Sequence, residues 1–214
     1  TITAAALAYL TYHDGTISYH MGGWAPPWGI EYVVDTANAF ILLLVSSIAT
    51  MVLIYSPASV AKEIRPGRGH LYYCMYILCL TGLLGIAITG DAFNVFVFLE
   101  VSSLSSYALI AMGGQRKALT AAFQYLVMGT IGATFFLIGV GLLYMMTGTL
   151  NMADLAKRIP EIQDSRPVLA AFAFITVGLA LKAALFPLHL WLPNAYAYAP
   201  SGVSAFMAAT ATKV

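Results

Sequence analysis

Glu100 stands inside "DAFNVFVFLEVSSLSSYALIAMG", residues 91–113, with eight mostly apolar residues before it and about ten after. If the stretch crosses a membrane, that carboxylate sits where water is absent. Lys182, in "GLALKAALFPLHLWLP", lies about fifteen residues, or roughly 22 Å, into another apolar stretch. His189 follows seven residues later, just beyond Pro187, and Lys213 lies thirteen residues after Pro200 in a third stretch. A charge at the bilayer centre costs at least ~2.5–3.5 kcal/mol, so such residues face protein or water and mark ion or proton paths.

Glu100 and Lys182 have opposite sign and similar depth. Paired at about 4 Å with an effective dielectric near 20, they attract by about 4 kcal/mol, about three powers of ten in the lysine's hold on its proton. Desolvation weakens that hold and a neighbouring carboxylate strengthens it. A lysine set between the two releases its proton when the carboxylate moves away. The competing reading is a structural ion pair that locks two helices together. Pro187 supports the first, because a proline removes a backbone hydrogen bond and clashes with the carbonyl four residues back, here Ala183. A freed carbonyl at membrane depth needs protein or water, so a break beside Lys182 predicts a hydrated site. His189 is either a proton relay or an interfacial histidine holding a helix end. The hydroxyls of Ser102, Ser103, Ser105, Ser106 and Tyr107 either line a water path or bond their own helix backbone.

The elements that must position these residues are membrane helices. The chain has 214 residues, 60% hydrophobic and 9% charged, with mean hydropathy +0.83. Soluble domains carry about a quarter charged residues, so lipid is the solvent for much of this surface. Spans are expected at 37–55 (opened by Asp35 and closed by Ser56-Pro57), 71–88, 92–112, 118–146 and 168–189. Residues 1–12 read as the tail of an earlier span and 200–214 as the start of a later one. The runs are continuous rather than alternating, which excludes transmembrane strands. Their frequent glycines read as sites of close helix packing. The chain begins and ends inside apolar runs, which reads as a fragment of a longer protein.

Loops 57–70 (Lys62, Arg65, Arg68) and 113–117 (Arg116, Lys117) are basic, whereas 13–36 and 90–91 contain no Lys or Arg. The positive-inside rule places the first two in the cytoplasm and 147–167, a mixed-charge loop, outside. The Gly/Pro/Trp-rich segment "HDGTISYHMGGWAPPWGIEY" suits an outer interfacial loop. Net charge is +1, and the basic residues are scattered, which gives no sign of nucleic-acid binding. Cys74 and Cys79 form no CxxC motif and are expected to serve packing. With no GxGxxG and no cysteine cluster, no cofactor or metal site is expected, and the chain itself does no redox chemistry.

The motifs "GDAFNVFVFLEVSSLSSYALIA", "GTLNMADLA" and "LKAALFPLHLWLPNAYAYAPSGVSAFMAATATK" resemble the antiporter-like membrane subunits shared by Mrp cation/proton antiporters and respiratory complex I. The D-type branch of the Mrp family is the nearest in pattern, and "GGWAPPWGIEYVVD" fits it too. The resemblance covers essentially the whole chain. It implies an all-α, polytopic transmembrane bundle. Residues 71–214 would form the first inverted five-helix repeat, its last helix truncated, with a broken helix near Pro187. Residues 1–70 would supply the end of one helix, an outer loop, the next helix and a cytoplasmic loop. By motif position, Glu100 matches the family's ion-pair glutamate, Lys182 the lysine of the broken helix, Lys213 the lysine of the next helix and His189 the histidine of PLHxWLP. Asn194 departs from the Asp common at that position. The implied function is a proton-translocating subunit of a multisubunit sodium/proton antiporter in a prokaryotic cell membrane. The alternatives are the pump subunit of an NADH:quinone oxidoreductase or membrane-bound hydrogenase, and a purely structural scaffold. The implied partners are neighbouring membrane subunits, lipid, protons and sodium.

Overall fold

The computed structural model describes residues 1–211, and its helices begin and end largely where local chemistry allows. α1 (Ile2–Asp14) leads into a short antiparallel hairpin of β1 (Ile17–His20) and β2 (Glu31–Val34), with Ile17 opposite Val34 and His20 opposite Glu31. Among the described residues, four helices are long and apolar enough to cross a membrane: α2 (Thr36–Glu63), α3 (Gly69–Ile88), α4 (Ala92–Ala111) and α5 (Arg116–Thr147). The chain continues through α6 (Met152–Ile162), α7 (Arg166–Lys182), α8 (Trp191–Tyr198) and α9 (Ser201–Ala209). Asp35 caps α2 by accepting from the Asn38 amide at 2.8 Å, and Asp91 caps α4 by accepting from the Asn94 amide at 2.7 Å. Gly148, at φ 71°, takes the left-handed turn that ends α5.

The membrane helices form the bundle expected from composition, with three corrections to the elements. The helix carrying the 37–55 span does not close at Ser56-Pro57 but continues to Glu63. Pro57 cannot donate to the Leu53 carbonyl, and the Ser56 hydroxyl donates to that carbonyl instead, at 2.8 Å. The 168–189 span stops as a helix at Lys182 and resumes only at Trp191. Within the 147–167 loop lies α6, capped by Asn151, which accepts from the Asp154 amide at 3.0 Å. Its Leu155, Ile159 and Ile162 pack against Phe136, Val140 and Val168.

Close packing needs residues without side chains at two crossings. A methyl group on Gly178 of α7 would meet the Gly132 carbonyl of α5 at 2.6 Å. One on Gly82 of α3 would meet the Ser102 amide of α4 at 2.6 Å. These contacts let α3, α4, α5 and α7 approach without a hydrophobic driving force, which lipid does not supply. The main core gathers α2, α3, α4, α5, α8 and α9 around Tyr72, Tyr76, Tyr125, Trp191 and Phe206.

The loops gather at two ends, as the charge pattern predicts. At one end Glu31 accepts from Asn151 at 2.9 Å, Tyr32 bridges Thr89, and Asp91 bridges Asn151. The hairpin is thereby sewn to the α3–α4 and α5–α6 turns. At the other end, residues 64–68 and 111–119 line one cleft.

Candidate functional site

α7 ends in the middle of an apolar segment, and the end is built from the backbone. The Ala184 amide donates to the Leu181 carbonyl at 3.3 Å and the Leu185 amide to the Ala180 carbonyl at 2.9 Å. That is a Schellman turn, normally completed by glycine. Here Ala184 occupies the left-handed position at φ 54°, the one positive-φ residue other than glycine among the described residues. Such a conformation is uncommon for a residue with a β-carbon and costs about 1–2 kcal/mol. The Trp191 indole N–H donates to the Leu181 carbonyl at 3.0 Å, so the break has a side-chain partner. Trp191 itself lies flat on Tyr125 of α5, with ring centroids 3.9 Å apart and planes 3° apart. The break therefore starts before Pro187 and is held from α5 and α8.

Lys182 is the last residue of α7, and the break aims it at α4. Its Nζ donates to Ser103 Oγ at 2.6 Å and lies 3.5 Å from Glu100 Oε1. The lysine side chain is 10% exposed and the glutamate 23%. Ser103 differs from its neighbours. Ser102, Ser105 and Ser106 donate to the Leu99, Val101 and Ser102 carbonyls of their own helix. Backbone bonding is thus the rule in this cluster, and Ser103 stands apart as the acceptor of the lysine. A cavity of about 40 Å³ adjoins them, lined by Ser102, Ser103, Ser106, Tyr125 and Lys182. That volume admits a water, and the three serine hydroxyls supply polar partners for it.

Among the described residues, the other sequence candidate, His189, is not part of this cluster. His189 lies in the turn after the break, half-buried beside the Phe186 ring, and its Nδ1 is buried without a hydrogen-bond partner. No hydrogen bond or ion pair among the described residues joins it to Glu100 or Lys182. Lys213 lies outside the described residues. Asn194 donates to Gln124 Oε1 at 2.9 Å, on the α5–α8 face. Cys79 is buried and contacts Ser106 Oγ at 3.3 Å, whereas Cys74 is exposed. Sequence reasoning missed Trp191 and the special place of Ser103. A tryptophan shortly after a proline-broken span was a usable signal for the first; nothing local distinguished the second.

Fold and site together define a multi-pass helical membrane protein with an acid–lysine pair at a helix break. Residues 89–214 match the family described as NADH:quinone oxidoreductase/Mrp antiporter, TM, and the chain belongs to that family. It is 48% identical over 211 residues to the N subunit of the NADH-quinone oxidoreductase of Desulforudis audaxviator, covering 99% of this chain and 42% of that protein. It is 34% identical over 208 residues to the D subunit of the Na(+)/H(+) antiporter of Alkalihalophilus pseudofirmus, covering 97% and 42%. Its fold superposes with a TM-score of 0.92, at 37% identity, on a chain of the membrane-bound sulfane sulfur reductase, an archaeal respiratory membrane complex. That match covers 99% of this chain and 43% of the other. The chain thus spans about two fifths of the length of these relatives.

Proposed function

We propose that this chain is part of a proton-translocating membrane subunit in a multisubunit monovalent cation/proton antiporter, moving protons through the Glu100–Lys182 pair. The observation that carries the proposal is Lys182 Nζ at the end of a broken helix, between Ser103 Oγ and Glu100 Oε1. In the paired state the carboxylate holds the ammonium charged in a low-dielectric site. Separation by a small movement of α7 against α4 removes that support, and the proton passes to water in the adjoining cavity. Return of a proton to the lysine restores the pair. His189, in the turn beyond the break, and Lys213 are the proposed onward carriers. Residues 71–214 serve as the first helical repeat, and 1–70 as the helix, hairpin and loop before it. Sodium is the proposed counter-ion, and the setting is a prokaryotic cell membrane among other membrane subunits.

A second reading, the pump subunit of a quinone-reducing or hydrogenase-type complex, is favoured by the 48% identity to a relative named for an NADH-quinone oxidoreductase. The two readings share the lysine chemistry and differ in what drives it. The test uses the full-length protein in its native complex, in everted membrane vesicles. Lys182→Ala is expected to abolish cation-dependent pH movement while the complex stays assembled. Movement that depends on added sodium supports the antiporter; movement that depends on a reductant supports the redox complex. Persistence of transport at the parent rate in Glu100→Gln plus Lys182→Met would reduce the pair to a scaffold.

A further inference from the structure

The end of the bundle opposite the hairpin carries a second polar site. A cleft of about 560 Å³ is lined by Arg65, Arg68 and Arg116, by Gly113 and Gly114, and by Leu119. It joins the α2–α3 loop to the start of α5. None of the three guanidinium groups makes an ion pair or side-chain hydrogen bond among the described residues. Glu63, the acidic residue nearest to them in sequence, is engaged elsewhere: its oxygens accept from the Ser201 amide and hydroxyl, each at 2.6 Å. α5 starts here without a side-chain cap, so the positive end of a 32-residue helix adds to the arginines.

The other half of the argument is apolar. Leu119, on the cleft wall, is 58% exposed, and Phe123, one turn deeper on α5, is 63% exposed. Phe123 and Val127 line a second cleft of about 480 Å³, with Met128 and Leu190. A rim of three arginines thus stands beside an exposed apolar stripe of a membrane helix. Arginine forks bind phosphate oxygens in pairs, and the stripe below matches an acyl chain.

We propose that this cleft binds a phosphate-bearing anion, supplied by the headgroup of an anionic phospholipid whose chain lies along Leu119 and Phe123. The site is independent of the Glu100–Lys182 chemistry and stands or falls without it.

The test is binding of tail-labelled phosphatidylglycerol to the full-length protein in its complex, in zwitterionic micelles, followed by fluorescence anisotropy. Basic residues near an anionic lipid surface are worth enough that each Arg→Gln change weakens binding about fivefold, and the triple change about a hundredfold. Lys157→Gln, on α6 at the other end, leaves binding unchanged. Millimolar inorganic phosphate is expected not to displace the lipid. Competitive displacement by phosphate overturns the lipid source and assigns the cleft to a soluble phosphate. Equal affinity for phosphatidylcholine, or parent-like binding by the triple variant, overturns the site itself. If the triple Gln variant fails to assemble, the triple Arg→Lys variant replaces it. That variant keeps the charge but loses the fork, so binding is expected to fall severalfold, and unchanged binding overturns the arginine assignment.

Discussion

Pro57 and Pro187 both interrupt apolar runs, and the chain treats them oppositely. At Pro57 the helix continues for six residues, because the Ser56 hydroxyl takes over the Leu53 carbonyl that proline cannot serve. At Pro187 the preceding residue is Phe186, which has no hydroxyl to offer. There the helix has already ended at Lys182, in a turn that places Ala184 at φ 54° and hands the Leu181 carbonyl to Trp191. Proline alone therefore does not make a break. What decides is whether the orphaned carbonyls are satisfied along the helix or from outside it. Only the second solution ends the helix at its lysine, and it places that lysine on α4.

The largest effect that tests this contrast is at Trp191, which is 2% exposed. Trp191→Ala removes a buried aromatic and one of the two donors to the Leu181 carbonyl, and is expected to destabilise by about 3–5 kcal/mol. Trp191→Phe keeps most of the stacking on Tyr125 and loses the N–H while the Ala184 amide still serves that carbonyl, so about 0.5–1.5 kcal/mol is expected. Thermal unfolding of the full-length protein in detergent separates the two. If both are near parent stability, α8 does not hold the break.

At Pro57 the matching change is Ser56→Ala, which strands the Leu53 carbonyl. A loss of about 1–2 kcal/mol is expected, with faster hydrogen exchange confined to the end of α2. Exchange spreading to α7 would show that the two prolines are coupled rather than independent. Smaller again is Ala184→Gly. It relieves the left-handed alanine and is expected to stabilise the break by about 0.5–1 kcal/mol, read as a rise in unfolding temperature. A loss of stability would mean that the alanine methyl packs more strongly than its backbone is strained.

The smallest effect lies outside the membrane, at the hairpin. A hydrogen bond from Ser18, and a weaker one from Asn151, hold the Glu31 carboxyl below its ordinary value of 4.5, against the opposing pull of burial. A carboxyl lowered on folding contributes its stability fully above that value and loses it as pH falls through the folded-state titration. Protection from hydrogen exchange in 17–34, taken against the intrinsic rate at each pH, is therefore expected to fall below pH ~4.5 in the parent and to show no such step in Glu31→Gln. An identical pH profile in both would remove Glu31 from the contacts that join the hairpin to the α3–α4 and α5–α6 turns.

Much of the bundle was legible because hydropathy and capping are local. The starts of α2 and α4 follow from Asp35 and Asp91, and the α3, α4 and α5 spans from their apolar length. α6 was missed: Asn151 as cap and Leu155, Ile159 and Ile162 on one face were local signals, but the mixed charge of 147–167 read as a loop. Pro187 correctly marked a break, but its starting point was hidden, since alanine does not signal a left-handed turn. Pro57 misled because the rescue depends on one hydroxyl rotamer.

The sequence by itself determined that lipid surrounds this chain, where its spans lie, and that a glutamate and a lysine must be accommodated among them. Those are consequences of composition and of the price of a lone charge in hydrocarbon. Tertiary structure alone decided that Lys182 reaches Ser103 and Glu100, residues 79 and 82 positions away. It also decided that one serine of four similar ones meets it. The physical reason is that this choice depends on the rotation and spacing of α4 against α7. Those are set by close approach at glycines such as Gly82 and Gly178, and by an indole anchored on another helix.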